Sequence, residues 1–310
     1  MRRLFRTVAA VLSAVTVLLP VGCAERDNSA AGGVQVVATT TMLADLAEKL
    51  GGEYIESECL MGAGVDPHTY QASAGDLRRL QSADIILCSG LNLEGRMSDV
   101  FAGLEGTKRI VVAGNTVGED ELNYLNGAPD PHIWFSVPLW KEVAESVSAE
   151  FASVDPEHEA EYASLLEGYL AELDDLDEYV RERTAELDAG KRVLVTAHDA
   201  FGYFGREYGF EVHGIQGMNT SAEAGTAEIA SLADFIVERG VKAVFVETSV
   251  PQKSAEALMA AVSSRGSSLA IGGTLYSDSL GDGEYASYTA AFRSNIDTIV
   301  DALLGEEVGA

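Results

Sequence analysis

The tripeptide Asp-Pro-His occurs twice, at 66–68 in "GVDPHTY" and at 130–132 in "PDPHIWF". The chain has only five histidines in 310 residues, so two in one setting point to shared chemistry. Proline fixes its own φ and pushes the residue before it into an extended conformation. Each imidazole is thereby projected from a stiffened loop, with Asp66 or Asp130 close enough to orient it. A metal ligand needs that presentation. His198 follows the apolar run "RVLVT" and precedes "FGYFGREYG". A divalent cation also calls for an anionic ligand. The candidates are Glu247, which ends "VKAVFVE", and Asp278, in the polar loop of "GGTLYSDSLG". His158, in the acidic stretch "DPEHEAE", reads as a solvated surface residue, and His213, in "FEVHGIQ", as a structural one.

The elements that must position these groups alternate along the chain. Apolar strand-like runs "VQVVATT", "YIESECLM", "DIILCSG" and "RIVVAG" are separated by helical patterns in the first half. The second half repeats the scheme with "KRVLVTA", "FEVHGIQ", "VKAVFVE" and "SSLAIGG". Near-continuous apolar strands alternating with helices predict α/β architecture with parallel sheet covered on both faces. Between the halves, Tyr162, Leu166, Tyr169, Leu173, Leu176, Val180 and Leu187 keep spacings of three, four and seven, as on one face of a helix. Roughly 30 residues at 1.5 Å each make a stiff rod of about 45 Å. The expected plan is therefore two lobes, 34–154 and 191–310, each with a small parallel sheet, joined by one long helix over 155–190. His68, His132 and His198 all fall after strand C-termini, the edge where ligands of open α/β sheets collect. The two Asp-Pro-His copies are not part of a longer internal repeat.

Residues 1–23 read as a signal segment. Arg2, Arg3 and Arg6 precede the short apolar run "TVAAVLSAVTVLLPV", too short to span a bilayer comfortably. The segment ends in "LLPVGC", which resembles a lipobox with Cys23 as the lipidated residue, and the small polar stretch 24–33 then serves as a flexible tether. This predicts an exported protein, lipid-anchored to the membrane and facing the periplasm or the cell exterior. Removing the three signal arginines leaves 18 basic against 49 acidic residues, a net charge of −31. So acidic a surface argues against a nucleic-acid partner and concentrates cations. Cys59 and Cys88 fall near the ends of strand-like runs, and the sequence leaves open whether they are joined.

"GVDPHTYQAS", "DPHIWFSV", "TAHDAFGYFGREYGF", "AEAGTAEIASLADFIVERGVKAVFVETSVP" and "IGGTLYSDSLG" together resemble the zinc/manganese solute-binding receptors of ABC importers, the cluster A-I or TroA-like family. The resemblance runs from about residue 34 to the end. It implies two α/β lobes on one backbone helix, and a single ion held between them. By position it implies His68, His132, His198 and Asp278 as metal ligands, two from each lobe, with Glu247 behind the metal. It also implies a monomer that hands Mn²⁺ or Zn²⁺ to the transmembrane permease of an ABC importer.

Three imidazoles and one carboxylate suit Zn²⁺, and a carboxylate binding through both oxygens admits Mn²⁺. Zinc-dedicated members of the family often carry a long His-rich loop, whereas "NTVGEDELNYLNGAP" here has no histidine. "SAEAGT" and "GGTLYSDSLG" resemble the branch that includes manganese receptors, although many of those have Glu where His198 stands. Manganese is the expected ion. A metallohydrolase on the same four residues is the first alternative, but catalytic zinc keeps a position open for water. The chain has no H-E-x-x-H, G-x-S-x-G or phosphate-loop motif, and no enzyme activity is expected. A surface adhesin of the same fold is the second alternative, with no sequence feature of its own.

Overall fold

A computed structural model describes residues 33–305. The signal segment 1–23, the lipidation of Cys23 and all of the tether 24–33 except Gly33 lie outside the described residues. Strand β1 (Val34–Ala38) leads into α1 (Thr41–Gly51) and β2 (Ile55–Cys59), followed by α2 (Ala74–Ser82), β3 (Ile85–Cys88), α3 (Ser98–Leu104) and β4 (Arg109–Val112). A hairpin of β5 (Tyr124–Leu125) and β6 (Ala128–Pro129) precedes α4 (Val137–Val154) and the long α5 (Glu159–Ala185). The second half runs β7 (Val193–His198), α6 (Gly202–Tyr208), β8 (Glu211–Gln216), α7 (Thr226–Arg239), β9 (Ala243–Glu247), α8 (Lys253–Ser263), β10 (Ala270–Leu275) and α9 (Tyr288–Leu304). The two four-stranded sheets are parallel, in the orders β2-β1-β3-β4 and β10-β9-β7-β8.

Local chemistry sets the helix ends. Ser73 and Asp76 close a reciprocal capping box at the start of α2, and the Ser136 hydroxyl accepts from Leu139 N at the start of α4. Gly209 and Gly240, both with left-handed φ, end α6 and α7, where a side chain would be strained. The expected helix over 155–190 is a regular α5 of 27 residues with a 3-10 turn on either side, about 40 Å long at 1.5 Å per residue. Its buried residues Tyr162, Tyr169, Leu173, Leu176, Val180 and Thr184 form one stripe facing both lobes.

Sheet membership changes at α5, but the apolar core does not divide there. One core cluster passes from α1, α4 and α5 into α6, β9 and α9. Phe135 of the first lobe lies 4.2 Å from Phe201 and 5.9 Å from Phe292 of the second, and Trp140 stacks on Tyr288 at 5.3 Å. Close-packed interiors resist small displacements, so this shared aromatic floor opposes wide separation of the lobes. Cys59 and Cys88 are both free thiols. Cys59 pairs with Ala38 of β1, which lies between β2 and β3, so the two cysteines stand two strand spacings apart. That is about 10 Å, beyond the reach of a disulfide. Among the described residues no helix is long and apolar enough to cross a membrane.

Candidate metal centre

The strand order brings the second-lobe groups together. His198 is the last residue of β7 and Glu247 the last of β9, its neighbour, while Asp278 follows β10 on the far side of β9 by three residues. Gly214 of β8 permits this arrangement. A Cβ there would sit 2.4 Å from Asp199 N, in the turn that leaves His198. From the first lobe, the loop after β2 delivers His68, and the segment after the hairpin delivers His132.

His68, His132, His198 and Asp278 meet between the lobes, each at most 2 % exposed. His132 Nε2 lies 3.3 Å from His68 Nε2 and 3.3 Å from His198 Nε2. Asp278 Oδ2 is 3.8 Å from His68 Nε2 and 3.4 Å from His198 Nε2, and Oδ1 is 3.6 Å from His132 Nε2. A tetrahedron with bonds of about 2.0–2.1 Å has edges of about 3.3–3.4 Å, so the nitrogen spacing fits one ion of that kind. Neither Asp278 oxygen has a hydrogen-bond partner in the protein. A buried carboxylate left so is costly unless a cation takes both lone-pair sets, so the donor set fits a divalent metal.

The imidazoles are oriented in different ways. His132 Nδ1 lies 2.6 Å from Asp130 Oδ1, and His198 Nδ1 lies 2.5 Å from Glu247 Oε2. In both rings the Nδ1 proton is therefore donated to a carboxylate, which leaves the Nε2 lone pair facing the cluster. Glu247 Oε1 also accepts from the backbone N of His198 at 2.9 Å. Asp66 behaves otherwise. Its Oδ1 accepts from His68 N, as Asp130 Oδ1 accepts from His132 N, but the ring Nδ1 of His68 has no partner. Asp66 thus shapes the loop without orienting the imidazole. Its Oδ2 accepts instead from Thr69 Oγ1 and, across the lobes, from Thr220 Oγ1.

The charges follow from this packing. Burial lowers the His198 pKa, but the carboxylates of Asp278 and Glu247 outweigh it and hold the ring well above its ordinary value. Burial pushes His68 down to about 4, against the pull of Asp278. Burial raises Asp278, yet the three imidazoles, His198 foremost, bring it below the usual carboxylate range. The other histidines lie elsewhere: His158 pairs with Asp155 and stacks on Tyr54, and His213 faces Glu211 and Phe235.

Several groups at the site carry no ligand-like signature in the sequence. The indole of Trp134 packs edge-on to His132 at 5.3 Å and donates to Ser277 O. Ser279 Oγ accepts from Gly64 N and Thr41 Oγ1 from Leu280 N, so first-lobe groups hold the two residues that follow Asp278. Trp134 was within sight, two residues past His132; nothing local marks Ser279, Thr41 or Thr220.

Two lobes that enclose three imidazoles and a carboxylate define a two-lobed metal-binding protein. Residues 36–302 match the family described as zinc-uptake complex component A, periplasmic (ZnuA), and the chain belongs to that family. It is 41 % identical over 96 % of its length to the manganese-binding lipoprotein MntA of Bacillus subtilis (strain 168), covering 98 % of that protein. It is 43 % identical to the zinc-binding protein TroA of Treponema pallidum (strain Nichols), over 90 % of this chain and 91 % of TroA. The solved structure of the periplasmic zinc-binding protein TroA from Treponema pallidum superposes with a TM-score of 0.86, covering 88 % of this chain and 99 % of that one.

Proposed function

We propose that this protein is the extracytoplasmic receptor of an ABC importer, taking one divalent transition metal between its lobes and passing it to a membrane permease. The observation that carries the proposal is the convergence of four buried donors from both lobes on one point, with both oxygens of Asp278 unpartnered. His68, His132, His198 and Asp278 are the ligands in this reading, Asp130 and Glu247 fix two of the rings, and Asp66 fixes the His68 loop. Catalytic zinc keeps three protein ligands and an open position, so a set of four protein ligands favours transport over hydrolysis. Cys23 carries the lipid that keeps the receptor, working as a monomer, at the outer face of the membrane. The division of labour is a first lobe 34–154, a linking helix within 155–190 and a second lobe 191–310.

Manganese is the proposed cargo. Asp278 turns Oδ1 toward His132 and Oδ2 toward His68 and His198, which favours binding through both oxygens and a coordination number above four. Zinc binds the same donors by the Irving–Williams order. Manganese and zinc compete for the site in a titration of chelator-stripped protein. Sub-micromolar manganese binding supports manganese supply; feeble manganese beside tight zinc reassigns the cargo to zinc.

A further inference from the structure

The receptor reading leaves unexplained what holds the lobes shut over His68, whose ring, alone among the three imidazoles, has no partner at Nδ1. The loop that carries it meets the second lobe through two hydrogen bonds. One runs from Gly64 N to Ser279 Oγ at 2.9 Å, beside the ligand Asp278 itself. The other runs from Thr220 Oγ1 to Asp66 Oδ2 at 2.6 Å. Thr220 lies in the segment 217–225 between β8 and α7, which supplies none of the four donors. Asn219 Oδ1 accepts from Ser221 N at 2.8 Å and so shapes the turn that presents the hydroxyl.

From this arrangement we infer that Thr220 is a positioning residue: its bond to Asp66 latches the His68 loop to the second lobe and sets how fast the metal leaves. Asp66 is suited to the part, because its Oδ1 accepts from His68 N at 2.9 Å while its Oδ2 takes the hydroxyl from across the cleft. One carboxylate thereby links the backbone of a ligand to the opposite lobe. When the Thr220 bond breaks, Asp66 keeps Thr69 and its own loop intact, so the loop swings as a formed unit. His68, which no second group orients, is the first ligand to withdraw. His132 and His198 stay behind on Asp130 and Glu247. A permease that pulls segment 217–225 outward would open the site from this side.

The inference rests on the receptor reading, and the test separates the two. Wild type and the variants Thr220→Val and Thr220→Ser are loaded with Zn²⁺, and separately with Mn²⁺. Release into excess EDTA is followed through intrinsic tryptophan fluorescence, since Trp134, one of the two tryptophans, packs on His132. Losing a hydrogen bond to a carboxylate is expected to speed dissociation about tenfold or more in Thr220→Val, with association within about twofold of wild type. Thr220→Ser, which keeps the hydroxyl, returns the rate toward wild type. The metal-free variants melt with the wild type, because the contact is one half-exposed hydrogen bond outside the core. Dissociation that is unchanged in Thr220→Val, or raised equally in Thr220→Ser, overturns the latch. So does a matching fall in metal-free melting temperature, which would make the contact a general stabiliser. A wild type that holds neither ion removes the receptor reading and the latch together.

Discussion

Glu247→Gln is a near-isosteric change that removes one charge and, in one place, reverses a hydrogen bond. Glu247 is buried, and its two oxygens accept from His198 Nδ1 at 2.5 Å and from His198 N at 2.9 Å. Glutamine offers one carbonyl oxygen and one amide N–H₂ to the same two donors. If its oxygen takes the ring proton, the N–H₂ faces the backbone N–H and both donors go unsatisfied. If it flips, the N–H₂ donates to Nδ1 and forces the proton onto Nε2, where it blocks the metal. Either way the loss is one buried hydrogen bond to a charged group, about 1.5–3 kcal/mol. At 1.4 kcal/mol per decade this is about 10- to 100-fold in metal affinity, the range found when partners behind a ligand are removed. Calorimetric titration of chelator-stripped protein reads it, with circular dichroism to check that the fold persists. Affinity within about twofold of wild type in a folded Glu247→Gln protein refutes the claim that Glu247 sets the His198 tautomer.

Other consequences concern protons. In the metal-free protein the carboxylates around His198 raise its pKa against the effect of burial, whereas burial lowers that of His68 to about 4. A metal needs the Nε2 lone pair, so binding competes with protonation of the His198 ring and releases protons. Enthalpies measured in buffers of different ionisation heat should give a slope with the sign of proton release, and a slope of zero contradicts the assignment. The same linkage makes affinity fall as the solution is acidified. Asp45 supplies a stability prediction away from the metal. Its Oδ2 accepts from Tyr288 N at the start of α9, and burial raises its pKa from 3.8 to about 6 against that bond. The folded state therefore binds a proton that the unfolded chain has already shed, and stability falls as pH rises through 3.8 to about 6. Asp45→Asn keeps the acceptor without the charge. It should stabilise the protein by about 1–2 kcal/mol above pH 7, a few degrees of melting temperature, and by nothing near pH 4. Equal melting at both pH values would count against it.

Much of this arrangement was legible in the sequence, and the gaps have physical causes. Apolar runs separated by helical periodicity are set locally, so the strand–helix alternation of both lobes and the long α5 could be read directly. The same alternation puts His68 in the loop after β2 and His198 at the end of β7, whereas His132 follows the hairpin. The hairpin at 124–129 went unread although Asn126-Gly127 marks it; both residues take positive φ, the signature of a tight two-residue turn. The two identical Asp-Pro-His tripeptides look equivalent and share the bond from the histidine N to Asp Oδ1. They differ at the ring, because what surrounds an imidazole is decided by distant segments. Thr220, more than 150 residues away, takes Asp66 Oδ2 toward the other lobe, whereas Asp130 stays on the His132 ring. Sheet order likewise hides in the sequence: the placing of β1 between β2 and β3 is what separates Cys59 from Cys88. The core that runs from α1 into α9 is equally non-local, since Phe135 and Phe292 meet across more than 150 residues of chain.

The most direct measurement is calorimetric titration of Mn²⁺ and Zn²⁺ into chelator-stripped protein beginning after Cys23, in wild type, His68→Ala and Asp278→Ala. One ion per wild-type chain, with binding greatly weakened in both variants while their folds persist, is the predicted result. Wild-type affinity retained in both variants, or no binding of either ion to the wild type, would contradict a metal site built from these four residues.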